Sequence, residues 1–152
     1  MTKGGDSPTG VPAEVGRLCD EADALAAGGD GRGAYAKFAA AWELVPEDKV
    51  RWPVSTRILR SLGELQFGRG RWPEALNLFL RAVQGPGGPG DPLIHLRIGQ
   101  CQFELGDVSR AADELARAYM GGGREAFDGQ DPKYFALVER VLQPPPGMDR
   151  LP

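Results

Sequence analysis

Leu62-Gly63-Glu64-Leu65-Gln66-Phe67-Gly68-Arg69-Gly70-Arg71-Trp72-Pro73-Glu74-Ala75, with Phe79 and Ala82 beyond it, is the stretch on which the reading of this chain turns. Its spaced residues return 36 positions later, where Ile98-Gly99, Phe103, Gly106, Val108, Ala111, Leu115 and Ala118 hold the offsets of Leu62-Gly63, Phe67, Gly70, Trp72, Ala75, Phe79 and Ala82. A weaker copy lies 41 residues earlier, with Gly29, Ala34, Phe38 and Ala41 opposite Gly70, Ala75, Phe79 and Ala82. Apolar residues at helical spacing on both sides of a glycine turn describe a hairpin of helices, and repetition describes a stack of hairpins. Such a stack presents an extended surface, so binding is the expected role.

Outward from that stretch, the expected architecture is all-α. Pro12 opens a first helix carrying Val15, Leu18, Ala22 and Leu25, Gly28-Gly29 ends it, and Asp30 caps a second with Tyr35, Phe38, Ala39 and Trp42 up to Val45-Pro46. The first unit is thus about 12–46. A polar junction, Glu47 to Trp52, leads to a second unit over 53–85, closed by the run Gly85-Pro86-Gly87-Gly88-Pro89-Gly90. Asp91-Pro92 starts the third, 91–121, which Gly121-Gly122-Gly123 stops, and Asp131-Pro132 begins a closing helix over 131–142. A stack needs that lid, because its last hairpin otherwise exposes an apolar face. One domain over 12–142 is expected, with a disordered leader at 1–11 and a Pro-rich flexible tail at 143–152.

Composition narrows the function classes. A net charge of -3 and a pI near 5.2 exclude bulk attraction to nucleic acid or an anionic membrane, although a small local basic patch stays open. No stretch approaches the ~18 apolar residues of a membrane span, and the Met1-to-Gly10 start lacks the cationic and apolar regions of a secretion signal, so a soluble, cytoplasmic chain is expected. Cys19 and Cys101 stand apart from each other and from His95, the only histidine, which points to buried reduced thiols and to no metal or cofactor. Ser7, Ser55, Ser61 and Ser109 lack the context of an activated nucleophile, and the glycine run 121–123 lacks the Lys-Ser/Thr ending of a phosphate loop, so enzymatic readings are weak.

Close packing of two antiparallel helices requires small residues, here Gly63 and Gly99 on one side and Ala75, Ala82, Ala111 and Ala118 on the other, with Phe79, Leu115 and Trp72 filling the space between. That alternation resembles the tetratricopeptide repeat: closely in the middle copy, nearly as well in the third, and in a degenerate form in the first, where Ala22 replaces the glycine and Gly31 the usual aromatic. The resemblance covers roughly 12–120 and implies an α-solenoid of three helix hairpins with a C-terminal capping helix. It further implies a protein or peptide partner held in a concave groove lined by the first helix of each repeat. Carried over by position, the groove residues are Cys19 and Asp23, then Arg57, Arg60, Glu64 and Phe67, then Leu93, Leu96, Gln100 and Phe103. Arrays of this family that clamp acidic C-terminal peptides of heat-shock chaperones need Lys, Asn and Arg where this chain has Cys19, Asp23, Arg60, Glu64, Leu96 and Gln100, which argues against that partner.

Several assignments stay open at this stage. Arg57 and Arg60, one turn apart on a face shared with Glu64, either receive an acidic partner group or form intrahelical ion pairs. Phe67 and Phe103 are either core or contact residues, and Trp52 is either an exposed anchor or packed over the first repeat. His95 reads as a hydrogen-bonded structural imidazole. The segment from Arg117 to Phe135 is either a specific surface or a fold-back onto the last repeat. Within the binding class, an immunity protein against a toxin, a chaperone like the class II chaperones of type III secretion, which resemble this chain in size and repeat number, and a self-associating scaffold all remain, so a homo-oligomer is possible.

Overall fold

Each glycine turn of the sequence folds as a hairpin of two helices: α1 (Ala13–Ala27) with α2 (Gly31–Leu44), α3 (Pro53–Gly68) with α4 (Trp72–Ala82), and α5 (Pro92–Glu104) with α6 (Val108–Gly122). The fold is that of a computed structural model, which describes residues 10–152. Successive hairpins join through α2 against α3 and α4 against α5, and α7 (Pro132–Val141) closes the stack on α6. Among the described residues the elements are helical throughout, with one-turn 3₁₀ helices at Lys49–Arg51 and Arg124–Phe127. Most of the expected leader lies outside the described residues, but its last member, Val11, is buried in the first core cluster. The packed domain therefore starts earlier than helical spacing alone suggests.

The caps follow from local chemistry. Asp30, Asp91, Asp107 and Asp131 each accept a backbone N–H from the first turn that follows, and Pro53, Pro92 and Pro132 occupy starting positions where no N–H is needed. At the equivalent turns, Gly29, Gly70 and Gly106 take φ of 89°, 71° and 88°, a left-handed conformation that L side chains resist. The run 121–123 is not the simple stop expected of it. Gly121 and Gly122 continue α6 and lie against Pro92, where a Cβ on Gly122 would fall 3.0 Å from the proline ring, and only Gly123, at φ 69°, ends the helix.

Inside the hairpins, glycine admits a large neighbour. A Cβ on Gly63 would lie 2.8 Å from the Phe79 ring, and one on Gly99 2.7 Å from Leu115, both of them fully buried. Cys19 and Cys101 are buried free thiols. Burial pushes the Cys19 thiol up and holds that of Cys101 at about 12, so neither is a nucleophile at neutral pH. His95 is the expected structural imidazole: Nδ1 meets Glu114 Oε2 at 2.6 Å and Nε2 meets the Pro89 carbonyl oxygen at 2.7 Å, tying the glycine–proline loop to α6. Trp52 packs on the first core and donates Nε1–H to the Pro46 carbonyl at 3.0 Å, which settles it as a packed residue.

The lid is held by chemistry as well as by apolar contact. Tyr134 stacks edge-on against Phe103 at 5.4 Å and donates its hydroxyl to Glu104 Oε2 at 2.7 Å, while Lys133 Nζ meets the same oxygen at 2.9 Å. Burial raises the Glu104 carboxyl, but the hydrogen bonds from Tyr134 and Lys133 outweigh it and leave the group below the usual range. The tail also departs from expectation. Leu151 is buried in the second core cluster, Tyr119 donates its hydroxyl to the Pro152 carbonyl oxygen at 2.7 Å, and Arg124 reaches the Leu151 carbonyl at 3.1 Å, so 143–152 folds back on α6 and the segment after it. Its apolar Leu151 supplies a contact that proline content alone does not reveal.

Two outcomes test these contacts. Gly63→Ala is expected to lose stability in urea unfolding, because overpacking of about 1–3 kcal/mol exceeds the ~1 kcal/mol that alanine gains over glycine in a helix; Gly68→Ala, with no neighbour near the added methyl, is expected to gain stability. A carboxyl lowered in the folded state stabilises above its unfolded pKa, about 4.3, and that contribution disappears as pH falls through the folded value. The stability gap between the wild type and Glu104→Gln is therefore expected to be full near neutrality and to close in acid, as followed by urea unfolding across pH.

Candidate functional site

The first helices of the three repeats, α1, α3 and α5, carry the residues the sequence assigns to the concave face. Their charges pair from one repeat to the next. Arg57 on α3 donates through Nη2 to Asp20 Oδ1 at 3.0 Å and to Asp23 Oδ2 at 2.8 Å, both on α1. Arg60 Nη1 meets Asp91 Oδ2 at 2.8 Å, and the other oxygen of Asp91 accepts Leu93 N–H, so one carboxylate caps α5 and fastens it to α3. Glu64 receives Arg97 of α5 through Nε at 2.6 Å and Nη2 at 3.2 Å, the two-pronged geometry that suits a guanidinium. The intrahelical pairing considered for Arg57, Arg60 and Glu64 is thus replaced by pairing between helices, because the stacked hairpins bring opposite charges nearer than the next turn does.

Arg97 is the hub of this face, and the sequence reading missed it. Its guanidinium lies 4.3 Å from the centre of the Phe67 ring, which meets Trp72 edge-on at 5.2 Å, and its Nη1 reaches Gln100 Oε1 at 2.9 Å and Gln130 Oε1 at 3.1 Å. Phe67 is half-buried, packed against the first core cluster with the Arg97 guanidinium over its ring. Asp20, Asp91 and Gln130 were missed as well. The signal that could have found them is opposite charge at about one repeat length, as in Asp23 with Arg57 or Glu64 with Arg97.

The structure does not bring all the assigned residues to an open trough. Asp23, Arg57, Arg60 and Glu64 are accessible, and Leu93 is part-buried against the second core cluster. Cys19, Leu96 and Gln100 are buried, Leu96 within the cluster that includes Tyr134, Phe135 and Phe127. Gln100 donates Nε2–H to Gln130 Oε1 at 2.8 Å, and Phe103 lies under Tyr134 with Lys133 Nζ 5.4 Å from its ring centre. The connection after α6 and the lid thus occupy the third repeat's share of the trough. Placing Leu96 and Gln100 on an open surface is corrected accordingly, because the lid covers both, while Phe103 stays half-buried beside Tyr134. The fold-back alternative for Arg117 to Phe135 is the one observed, with Phe127 against Phe135 at 5.2 Å and Tyr119 against Phe135 at 5.7 Å.

Hairpins of this geometry, stacked in register with glycine at each turn, define a known repeat, and the tetratricopeptide repeat family matches residues 19–92. Residues 19–92 carry tetratricopeptide repeats. Solved structures similar to this tetratricopeptide array include the Yersinia enterocolitica type III secretion chaperone SycD in complex with a peptide of the translocator YopD, at 16% identity and a TM-score of 0.64 over 83% of this chain and 90% of that one. A second structure of SycD, described as a translocator chaperone, gives 17% and 0.59 over 84% and 89%. A Thermobaculum terrenum O-GlcNAc transferase gives 21% and 0.60 over 84% of this chain but only 25% of that enzyme. At these identities the likeness is one of fold. No curated protein matches the chain. Among the described residues no group of ligating side chains could hold a metal ion, and no helix is long and apolar enough to cross a membrane.

Burial ranks the ion pairs. The Arg97 side chain is 14% exposed and Arg57 37%, with Asp20 at 76%. Arg97→Ala is expected to cost about 1.5–3 kcal/mol in urea unfolding, and Arg57→Ala under about 1 kcal/mol, with the second loss shrinking further as salt rises.

Proposed function

We propose that the chain is a non-enzymatic binding module whose concave face, over the first two repeats, receives a segment of a partner protein. The observation that carries this reading is the ordered row along α1 and α3, where Asp20, Asp23, Arg57, Arg60 and Glu64 are held by ion pairs beside a half-buried Phe67. Side chains fixed before the partner arrives lose little freedom on binding, which favours recognition of a defined segment. Charged groups of both signs suit a partner of mixed charge, and the half-buried Phe67 suits one apolar anchor.

A chaperone for a secreted client is the finer reading. Its support is that the SycD structures match this chain over nearly their whole length, and that one of them holds a peptide of its translocator. An immunity role against a toxin has no support in the comparisons. Catalysis has little to work with, since both nitrogens of His95 are engaged with Glu114 and Pro89 and both thiols are buried.

The test is a selection of displayed peptides on the wild-type protein, followed by calorimetry of the best binder. Combining Arg57→Ala and Arg60→Ala is expected to weaken it about tenfold or more, equal to ~1.4 kcal/mol, and Phe67→Leu to weaken it to a lesser degree, with the helical circular dichroism retained. Unchanged affinity in folded variants overturns the reading, and so does a selection that yields only self-association of the chain in light scattering.

A further inference from the structure

On the acidic chain, one patch gathers three arginines that form no ion pair among the described residues. A cavity of about 210 Å³ lies between α2 and the end of α3, walled by Arg32, Tyr35, Leu65, Gln66 and Arg69. A second of about 430 Å³ continues across Tyr35 and Gln66 to α4, where Leu78, Arg81 and Glu74 line it. The two form one groove, because they share Tyr35 and Gln66. It runs along the second helices of the first two hairpins and involves none of the paired arginines of the concave face.

Three features of this groove point to a ligand. Arg57, Arg60 and Arg97 each have a carboxylate partner, whereas among the described residues Arg32, Arg69 and Arg81 have none, and Glu74 is the single acid in the lining. Arg81 is nevertheless held in place, its guanidinium 5.2 Å from the centre of the Trp42 ring, which Lys49 Nζ approaches at 5.5 Å. On the floor, Gln66 Oε1 is buried without a hydrogen-bond partner between the apolar surfaces of Tyr35, Leu65 and Leu78. An orphaned buried acceptor is costly, and an incoming N–H would relieve it.

We infer that this groove is a second docking site, for an acidic peptide segment that lays an apolar side chain over Tyr35 and Leu78. Carboxylates on either side of that anchor pair with Arg32 and Arg69 at one end and with Arg81 at the other, and the Gln66 side chain, whose Oε1 is buried and unpaired, turns outward to accept a peptide N–H. Arginine suits this task because its planar fork meets a carboxylate through two hydrogen bonds. The site is independent of the concave face, so either can fail without the other.

The test uses the full chain and fluorescence anisotropy with three labelled probes: a short peptide of alternating glutamate and leucine, its glutamine counterpart, and a thymidine strand of similar length. The acidic peptide is expected to bind, more weakly as salt rises, and the glutamine counterpart about tenfold less tightly. Combining Arg32→Ala and Arg69→Ala is expected to cost about tenfold or more. Gln66→Leu separates docking from packing, because it is expected to raise the urea midpoint by removing the orphaned amide while weakening the peptide. Arg57→Ala with Arg60→Ala is expected to leave this affinity unchanged. The proposal is overturned by absence of peptide binding, by equal binding of the glutamine counterpart, by wild-type affinity in the groove variants, by loss of affinity in the concave-face pair, or by binding of the thymidine strand in place of the peptide.

Discussion

The seating of Phe79 on Gly63 and of Leu115 on Gly99 sets the geometry on which the rest of the array depends. With no Cβ on one helix, a large side chain of the other enters close to the backbone, and the two helices pack closely. Where that arrangement recurs, in the second and third hairpins, the stack brings residues of one repeat against partners about one repeat away. The pairs Asp20–Arg57, Asp23–Arg57, Glu64–Arg97 and Arg60–Asp91 are separated by 37, 34, 33 and 31 residues. Electrostatics here follows packing, since each pair exists only where the hairpins stack in register.

What the sequence made legible was local or periodic. Glycine turns, aspartate caps, proline starts and the small–large alternation are each decided within about a turn of helix, and they locate all seven helices among the described residues. The misreadings concern surfaces made by distant segments. Arg57 and Glu64 looked like intrahelical partners because i,i+4 spacing is visible in a sequence, whereas the approach of α1 or α5 is not. Leu96 and Gln100 looked like groove residues because the repeat pattern assigns them there, but the pattern carries no information on where the segment after α6 returns. Val11 and Leu151 are single apolar residues in polar, proline-containing surroundings, too few to register as periodicity and yet enough to fasten both ends of the described chain.

The two surfaces differ in what a partner must do on arrival. In the proposed trough, the carboxylates and guanidinium groups already satisfy each other, so a ligand would have to exchange one ion pair for another and would depend on fit to that fixed row of charges as well as on Phe67. Along the groove on the second helices, Arg32, Arg69 and Arg81 are hydrated and uncompensated, and an acidic ligand there gains charge pairing without breaking any. One rewards shape and register, the other sign of charge. If both proposed sites are occupied, one partner would be held through two different segments, and linked contacts strengthen each other without either being tight.

The lid limits how much of a partner the trough can hold. A helical stack must cover its last apolar face, and here the connection after α6 and α7 do so by burying Leu96 and Gln100 and packing on Phe103, which takes most of α5 out of the trough. Two first helices remain, α1 and α3. At roughly 10 Å per helix they offer about 20 Å of width, which an extended segment rising ~3.3 Å per residue crosses in about six residues. The proposed recognition would on that scale rest on one anchor and a few charges, and Phe67, flanked by the Arg57 and Glu64 pairs, has that composition.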